Sequence, residues 1–130
     1  MKKIILPKKL SRPRGNYSHG VLVTPGQLLF IAGQTAVDSN GNVVGIGDAL
    51  IQAQKVYENI STILSEAGMS FSDIVKLTTF VTDVSFREKV NEVRSQYIKK
   101  DFPASTLVVI KGLAREEFLV EVEAIACIEK

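Results

Sequence analysis

Short apolar runs separated by turn residues dominate the first third of the chain and predict extended structure. The runs at residues 21–23 and 28–31 flank Pro25-Gly26, a dipeptide that favours a turn, so we expect them to pair as a β-hairpin. Residues 38–42, with the sequence Asp-Ser-Asn-Gly-Asn, form a second strong turn signal. Val43-Val44 is a candidate for a brief strand after that turn.

A long helical pattern follows. Asp48 can cap the helix, and apolar residues then recur at three- and four-residue intervals: Ala49, Ala53, Val56, Ile60, Ile63 and Ala67. Gly68 stands where a residue in the left-handed conformation commonly ends a helix. The pattern predicts a helix with one apolar face, and that face must be buried against another part of the fold.

A second helix is predicted near residue 85. Ser85 and Glu88 have the spacing of a capping box, in which each side chain bonds the backbone of the other residue. The expected buried stripe of this helix contains Phe86, Val90, Val93 and Tyr97. The helix should end at Asp101-Phe102-Pro103, because proline cannot continue the helical hydrogen-bond ladder.

Three further strands are predicted at residues 74–82, 106–111 and 118–128. In the first, one face carries Val75, Leu77, Thr79 and Val81, and the other carries Thr78 and Phe80. In the last, one face carries Phe118, Val120, Val122, Ala124 and Ala126, and the other carries Leu119, Glu121, Glu123, Ile125 and Cys127. Both faces are largely apolar, yet two helices can cover only one. The pattern therefore predicts a mixed α and β chain whose uncovered sheet face packs against another copy of the chain.

Composition narrows the class of protein. The 130 residues suit one domain, 1–130, with 45% hydrophobic and 23% charged residues. Six basic residues crowd positions 1–14, and we interpret this segment as a solvated basic arm. A net charge of +2 is small, and the arm has no aromatic residue before Tyr17, so the sequence does not favour a nucleic acid partner.

The cellular compartment can be inferred from three absences. A single cysteine excludes an intramolecular disulfide and suits a reducing environment. The apolar residues 4–6 are too few for the hydrophobic region of a signal peptide. No apolar run approaches the roughly 20 residues that a membrane-spanning helix needs. We expect a cytoplasmic protein without a membrane partner.

Several stretches, in order from about residue 13 to 126, resemble the RidA/YjgF/L-PSP family, whose members are also described as endoribonuclease L-PSP or translation initiation inhibitors. They are Asn16-Tyr17-Ser18-His19-Gly20, residues 29–34 (Leu-Phe-Ile-Ala-Gly-Gln), residues 76–81 (Lys-Leu-Thr-Thr-Phe-Val), Val90-Asn91, Phe102-Pro103-Ala104, and residues 120–126 (Val-Glu-Val-Glu-Ala-Ile-Ala).

The resemblance implies a fold, an assembly and a reaction. The fold is the α+β, chorismate-mutase-like (bacillus) fold, with a six-stranded mixed sheet backed by two helices. The assembly is a homotrimer whose sheets form a central barrel, with sites in the clefts between subunits. The reaction is the hydrolysis of reactive enamines or imines, such as 2-aminoacrylate, to a 2-oxo acid and ammonia. The resemblance implies no metal and no organic cofactor.

The same resemblance nominates site residues. Glu121 matches the glutamate that handles the attacking water and is the candidate catalytic residue. Tyr17, Gly33 and Asn91 match residues that surround the substrate. Ser105, however, stands where family deaminases have the arginine that grips the substrate carboxylate. A charge-assisted hydrogen bond contributes roughly 1.5–3 kcal/mol, so a small imino acid should bind poorly without it.

Simpler interpretations remain open for these residues. Glu121 is alternatively a charge in a network between subunits, and Tyr17 a packed aromatic at the sheet edge. Asn91 is alternatively a residue that bonds the helix to a loop. Arg14 is a candidate for the missing positive charge, although a solvated arm residue is the simpler interpretation.

Three functions follow from these residues. The first is a Rid-family deaminase-like hydrolase of a small enamine, imine or related labile metabolite, with specificity altered by Ser105. The second is a trimeric protein that binds a small metabolite without turnover. The third and weaker one is an endoribonuclease. The chain has one histidine, His19, whereas acid–base cleavage of RNA needs two titrating groups, which counts against the ribonuclease. The chain also has no second histidine that could activate Ser105, which counts against Ser105 as a nucleophile.

Overall fold

A computed structural model describes residues 2–24 and 26–128 of the chain. These residues form six strands and two helices, in the order β1 (Lys3–Ile5), β2 (Gly20–Leu22), β3 (Gln27–Gln34), α1 (Ala49–Glu66), β4 (Ile74–Val81), α2 (Arg87–Tyr97), β5 (Ala104–Val109) and β6 (Val120–Ile128). Short 3₁₀ turns, Phe71–Asp73 and Val84–Phe86, precede β4 and α2. No helix in these two ranges has the length and apolar character needed to cross a membrane.

Four of the strands form one mixed sheet in the order β3-β6-β4-β5. Strands β4 and β5 are parallel, and α2 makes the crossover between them, while β6 is antiparallel to both β3 and β4. Strands β1 and β2 form a separate antiparallel ribbon. The α+β class, the two helices and the mixed sheet are therefore confirmed. The six strands are divided between two sheets, which corrects the expectation of one six-stranded sheet.

The predicted hairpin between β2 and β3 is wrong. Among the described residues, β2 pairs with β1 and β3 pairs with β6; Pro25, in the predicted turn, lies outside the described residues. The physical reason is burial. Pairing with the long strand β6 lets β3 bury Ile31 in the core, whereas β2 has three residues and its Leu22 is exposed. Local turn chemistry favoured the hairpin, but the larger apolar partner decides the pairing.

Helix α1 forms as the sequence predicts. The Asp48 carboxylate accepts a hydrogen bond from the Ile51 amide at 3.1 Å, which caps the first turn. Gly68 has a φ of 72°, the left-handed conformation that suits glycine. The buried face includes Val56, Ile60 and other core residues, and it packs on the sheet.

Helix α2 departs from the prediction at both ends. Asp83, not Ser85, caps the turn before it: the Asp83 carboxylate accepts bonds from the Ser85 amide (2.9 Å) and hydroxyl (2.6 Å). Those bonds lower the pKa of the Asp83 carboxyl, because they stabilise its ionised form. Val90 and Val93 are buried as expected. Tyr97 is 36% exposed, and the buried position near that end belongs to Arg94 instead.

The two helices cover one face of the four-stranded sheet and leave the other face exposed. The face predicted to be packed in the last strand, residues Val120, Val122, Ala124 and Ala126, is buried against the helices. In β4 the predicted phase is wrong at Val75, because an irregularity in the β4–β6 pairing places Ile74 in the core in its stead. The opposite face, which we call the open face, bears Phe30 (70% exposed) and Leu28 (48% exposed) beside Ile125 and Cys127.

Candidate functional site

An open cleft of about 480 Å³ lies against the edge strand β5. It brings together three of the sequence-predicted site residues, Tyr17, Asn91 and Ser105. The full lining is Arg14, Gly15, Asn16, Tyr17, Arg87, Asn91, Arg94, Ser105 and Leu107. Its volume lies within the range of roughly 300–1,000 Å³ that is typical of small-molecule sites.

The segment that carries Tyr17 is bonded to the start of β5. The Ser18 amide donates to the Pro103 carbonyl at 3.1 Å, and the buried Ser18 hydroxyl donates to the Phe102 carbonyl at 2.5 Å. Ser18 also forms a parallel bridge with Ala104. Tyr17 precedes Ser18 and Ser105 follows Ala104, so each is next to a residue of this bridged pair. The contacts between the two segments therefore hold Tyr17 and Ser105 on the same wall of the cleft.

The single histidine has a structural partner. His19 Nε2 donates to the Ser11 carbonyl at 2.7 Å, and its ring packs edge-on against the Tyr17 ring with the centroids 6.1 Å apart. The carbonyl can only accept, so this contact requires the proton on Nε2. These contacts join the arm to the segment that carries Tyr17 and agree with a hydrogen-bonding role for His19.

Arg94 is the residue that sequence reasoning missed. It is 5% exposed, and its guanidinium donates three hydrogen bonds to neutral oxygens: Nε to the Tyr57 hydroxyl (3.3 Å), Nη1 to the Ser105 hydroxyl (3.1 Å) and Nη2 to the Thr79 hydroxyl (3.2 Å). The β4-α2-β5 crossover explains this convergence, because α2 lies over the two strands that carry Thr79 and Ser105. A guanidinium therefore adjoins the position where the family arginine was expected.

Within residues 2–24 and 26–128, no carboxylate forms an ion pair with Arg94. Among the described residues, the ion pair found is Lys55–Glu58, remote from the cleft. Tyr57, which accepts from Arg94, is stacked on Phe71 and Tyr97. Burial raises the pKa of the Tyr57 phenol, and the nearby Arg94 cation offsets part of that rise. The phenol is therefore neutral at physiological pH and does not balance the guanidinium charge.

The cleft as a whole is electropositive. Three arginines line it, Arg14, Arg87 and Arg94, and none of the described residues that line it is acidic. Arg14 and Arg87 are exposed, whereas Arg94 is buried. Such a concentration of one sign of charge attracts anionic ligands. Elsewhere in residues 2–24 and 26–128, no three His, Cys, Asp or Glu side chains are grouped as metal ligands.

Glu121 and Gly33, the other two predicted site residues, lie together but outside the lining of this cleft. Glu121 is half-buried on β6 and projects to the open face, since its neighbours Val120 and Val122 point into the core. A Cβ at Gly33 would lie 2.7 Å from the Glu121 Cδ and closer still to Oε2. The absence of a side chain at residue 33 thus leaves room for this carboxylate. The single chain therefore holds its predicted site residues in two separate groups.

Comparison with known proteins agrees with this architecture. The family model for Endoribonuclease L-PSP matches residues 8–128. A RutC family protein of Pyrococcus abyssi is 38% identical over 125 residues, covering 96% of each chain. The human 2-iminobutanoate/2-iminopropanoate deaminase is 30% identical over 126 residues, covering 97% of this chain and 90% of the human protein.

A solved structure extends the comparison to the fold. The Rid family protein YyfB from Yersinia pestis, described as a protein of unknown function, is 32% identical and has a TM-score of 0.89 over 98% of both chains. The family-model match, residues 8–128, spans the cleft, both helices and strands β2 to β6. This chain therefore belongs to the Endoribonuclease L-PSP family, the RidA/RutC proteins.

Proposed function

We propose that this protein is a deaminase-like hydrolase of small enamines or imines that carry a carboxylate. The observation that supports this most directly is the cleft: Tyr17, Asn91 and Ser105 meet there with three arginines and, among its described lining residues, no acid. A small anionic metabolite suits that environment. The names of the human and bovine relatives, both 2-iminobutanoate/2-iminopropanoate deaminases, point to the same substrate class.

The reaction requires a group that handles water. An enamine first takes a proton at its terminal carbon and becomes the imine. Water then adds to the imine carbon, forming a C–O bond and giving a proton to the base. The base returns that proton to the nitrogen, the C–N bond breaks, and ammonia leaves with the 2-oxo acid as the other product. A carboxylate can orient and deprotonate that water, and Glu121 is the candidate in this chain. The proposed role of the cleft is to hold the substrate carboxylate at a fixed distance from Glu121.

The division of the site residues into two groups supports a shared site. The cleft lies at β5, on one edge of the four-stranded sheet, whereas Gly33 lies on β3 at the opposite edge and Glu121 on the neighbouring strand β6. A homotrimer packed through the open face would bring the Glu121 of one subunit to the cleft of the next. We therefore propose that the homotrimer, and not the single chain, is the active unit.

The test is hydrolysis of 2-aminoacrylate generated in place, measured against its spontaneous hydrolysis. We expect acceleration by the wild type and a loss of roughly 10²-fold or more with Glu121→Gln, which keeps the size of the side chain and removes its charge. Glu123→Gln, an exposed neighbour on the same face, is the matched control and should retain activity.

The binding-protein alternative has one specific observation in its favour: the cleft of a single subunit contains no described carboxylate that could serve as the base. Carboxylate binding without acceleration of hydrolysis would select that alternative. Cleavage of a defined RNA that survives repurification and is lost in the Glu121 variant would instead select the ribonuclease.

A further inference from the structure

We infer that Arg94 holds the substrate carboxylate, so that helix α2 supplies the cation that β5 lacks at Ser105. This inference rests on the proposed function for its substrate but concerns a different residue and a different element. Arg94 Nη1 lies 3.1 Å from the Ser105 hydroxyl, so the two side chains are neighbours on one wall of the cleft. The small serine leaves space there that a long side chain would fill.

The hydrogen-bond inventory of Arg94 leaves two donors for a ligand. A guanidinium has five N–H groups, and three of them are directed at Tyr57, Ser105 and Thr79. Nε has only one N–H, which is used, while Nη1 and Nη2 each retain one. Two donors on the terminal nitrogens can bind the two oxygens of a carboxylate.

The energetics of burial also favour an anion at this place. A cation that is 5% exposed loses most of its hydration, and three neutral oxygens replace that hydration only in part. No acid among the described residues lies within ion-pair distance of Arg94. A bound carboxylate would supply the missing negative charge, so part of the cost of burying Arg94 is offset when the substrate enters.

A purely structural role is the competing explanation, since Arg94 joins α2 to β4, β5 and Tyr57. The two roles predict different effects on ligand binding. A structural Arg94 would affect acids and neutral analogues of the same shape equally. A carboxylate-holding Arg94 would affect the acid alone. The probes are 2-oxobutanoate and its neutral amide, 2-oxobutanamide, with binding measured by calorimetry and fold by circular dichroism.

Arg94→Lys keeps the charge but cannot bind both carboxylate oxygens at once. We expect it to weaken 2-oxobutanoate binding at least tenfold and to change binding of the amide less than twofold. Arg115→Lys, at an exposed arginine far from the cleft, is the matched control and should change neither. Equal losses for acid and amide, or no loss for the acid, would overturn the inference.

Ser105→Asp gives a second test that keeps the guanidinium in place. A carboxylate at residue 105 would pair with Arg94 and occupy it, so the variant should fold at least as stably and lose acid binding. Full retention of acid binding in this variant would count against Arg94, even if Arg94→Lys proved unfolded. In Arg94→Leu, which removes the cation, adding Ser105→Arg should restore acid binding.

These outcomes separate the inference from the proposed function. Acid binding that depends on Arg94, with no hydrolysis of 2-aminoacrylate by the wild type, would uphold the inference and reject the enzyme. Normal hydrolysis by a folded Arg94→Lys variant, with unchanged KM, would reject the inference and uphold the enzyme.

Discussion

The covered and open faces of the sheet both carry apolar side chains, but their surroundings differ. Val120 and Val122 on the covered face are fully buried, whereas Phe30 and Leu28, which flank β6 on the open face, are 70% and 48% exposed. The apolar residues alone do not tell the two faces apart. What differs is whether the chain itself contains a helix to lie on them.

Polar groups follow the same division. On the covered side, Thr79 and Arg94 are buried and bonded to each other, and no buried side-chain nitrogen or oxygen among the described residues lacks a partner. On the open side, Glu121 and Glu123 stand among apolar side chains. The covered face satisfies its polar groups within the chain, while the open face leaves its carboxylates available to another molecule.

The largest expected effect is on the covered face. Val122→Asp buries a carboxylate without a partner, at a cost of several kcal/mol, and should prevent folding. Circular dichroism and size-exclusion chromatography would show an unfolded or aggregated chain. Val122→Ala, which only removes methyl groups, should fold with reduced stability. A well-folded Val122→Asp protein would mean that this face is not a sealed core.

On the open face a charge should break assembly but not the fold. We expect the wild type to scatter light as three subunits of 14.2 kDa, and Phe30→Glu to scatter as one subunit with an unchanged dichroism spectrum. Leu22→Glu, on the β1–β2 ribbon and 61% exposed, is the control and should remain trimeric. A monomeric wild type would remove the basis for a shared site.

A smaller change tests the contact between Gly33 and Glu121. Gly33→Ala forces the Glu121 carboxylate aside, because the new Cβ would otherwise overlap it. Turnover should fall roughly tenfold, which corresponds to about 1.4 kcal/mol in the barrier, with little loss of stability. Gly112→Ala, where a Cβ meets nothing within 4 Å, is the matched control. Unchanged turnover would show that the position of Glu121 does not matter.

The smallest expected effect is on the pH dependence of stability, through Tyr57 on the covered side of the sheet. Burial raises the pKa of Tyr57, so the native phenol keeps its proton when the unfolded chain, with a tyrosine pKa of about 10, loses it. This contribution to stability is full below pH 10 and declines as pH rises further. The free energy of unfolding should fall more steeply above pH 10 in the wild type than in Tyr57→Phe. Equal slopes would mean that the phenol is not sealed from water.

Sequence periodicity predicted both helices and the three long strands, because the apolar residues on the buried face of each element recur at regular intervals along the sequence. It did not predict the pairing of β2 with β1, since strand partners are chosen by burial across the whole fold. The capping by Asp83 of the 3₁₀ turn before α2, where the sequence predicted a cap at Ser85, was missed for a narrower reason. Both residues are good caps, and the local sequence does not distinguish them.

The arrangement of the candidate site was predictable only in part. Tyr17, Asn91 and Ser105 do meet in one cleft, and Gly33 does adjoin Glu121, which follows from matching short stretches to a family. Arg94 was not predictable in that way, because its three acceptors come from α1, β4 and β5 and leave no local pattern. A signal did exist: Thr79 is polar on an otherwise apolar face, and Arg94 follows Val90 by four residues on the buried side of α2.

The bonds from Ser18 to Phe102 and Pro103 also constrain when the site can exist. Ser18 and Phe102 are 84 residues apart in sequence, and contacts of such separation form only after the entropy of closing a long loop has been overcome. On the ribosome, the segment with Tyr17 is complete long before β5 has been synthesised, and Glu121 follows later still on β6. A nascent chain thus carries no finished cleft wall, and ligand cannot guide the early steps of folding.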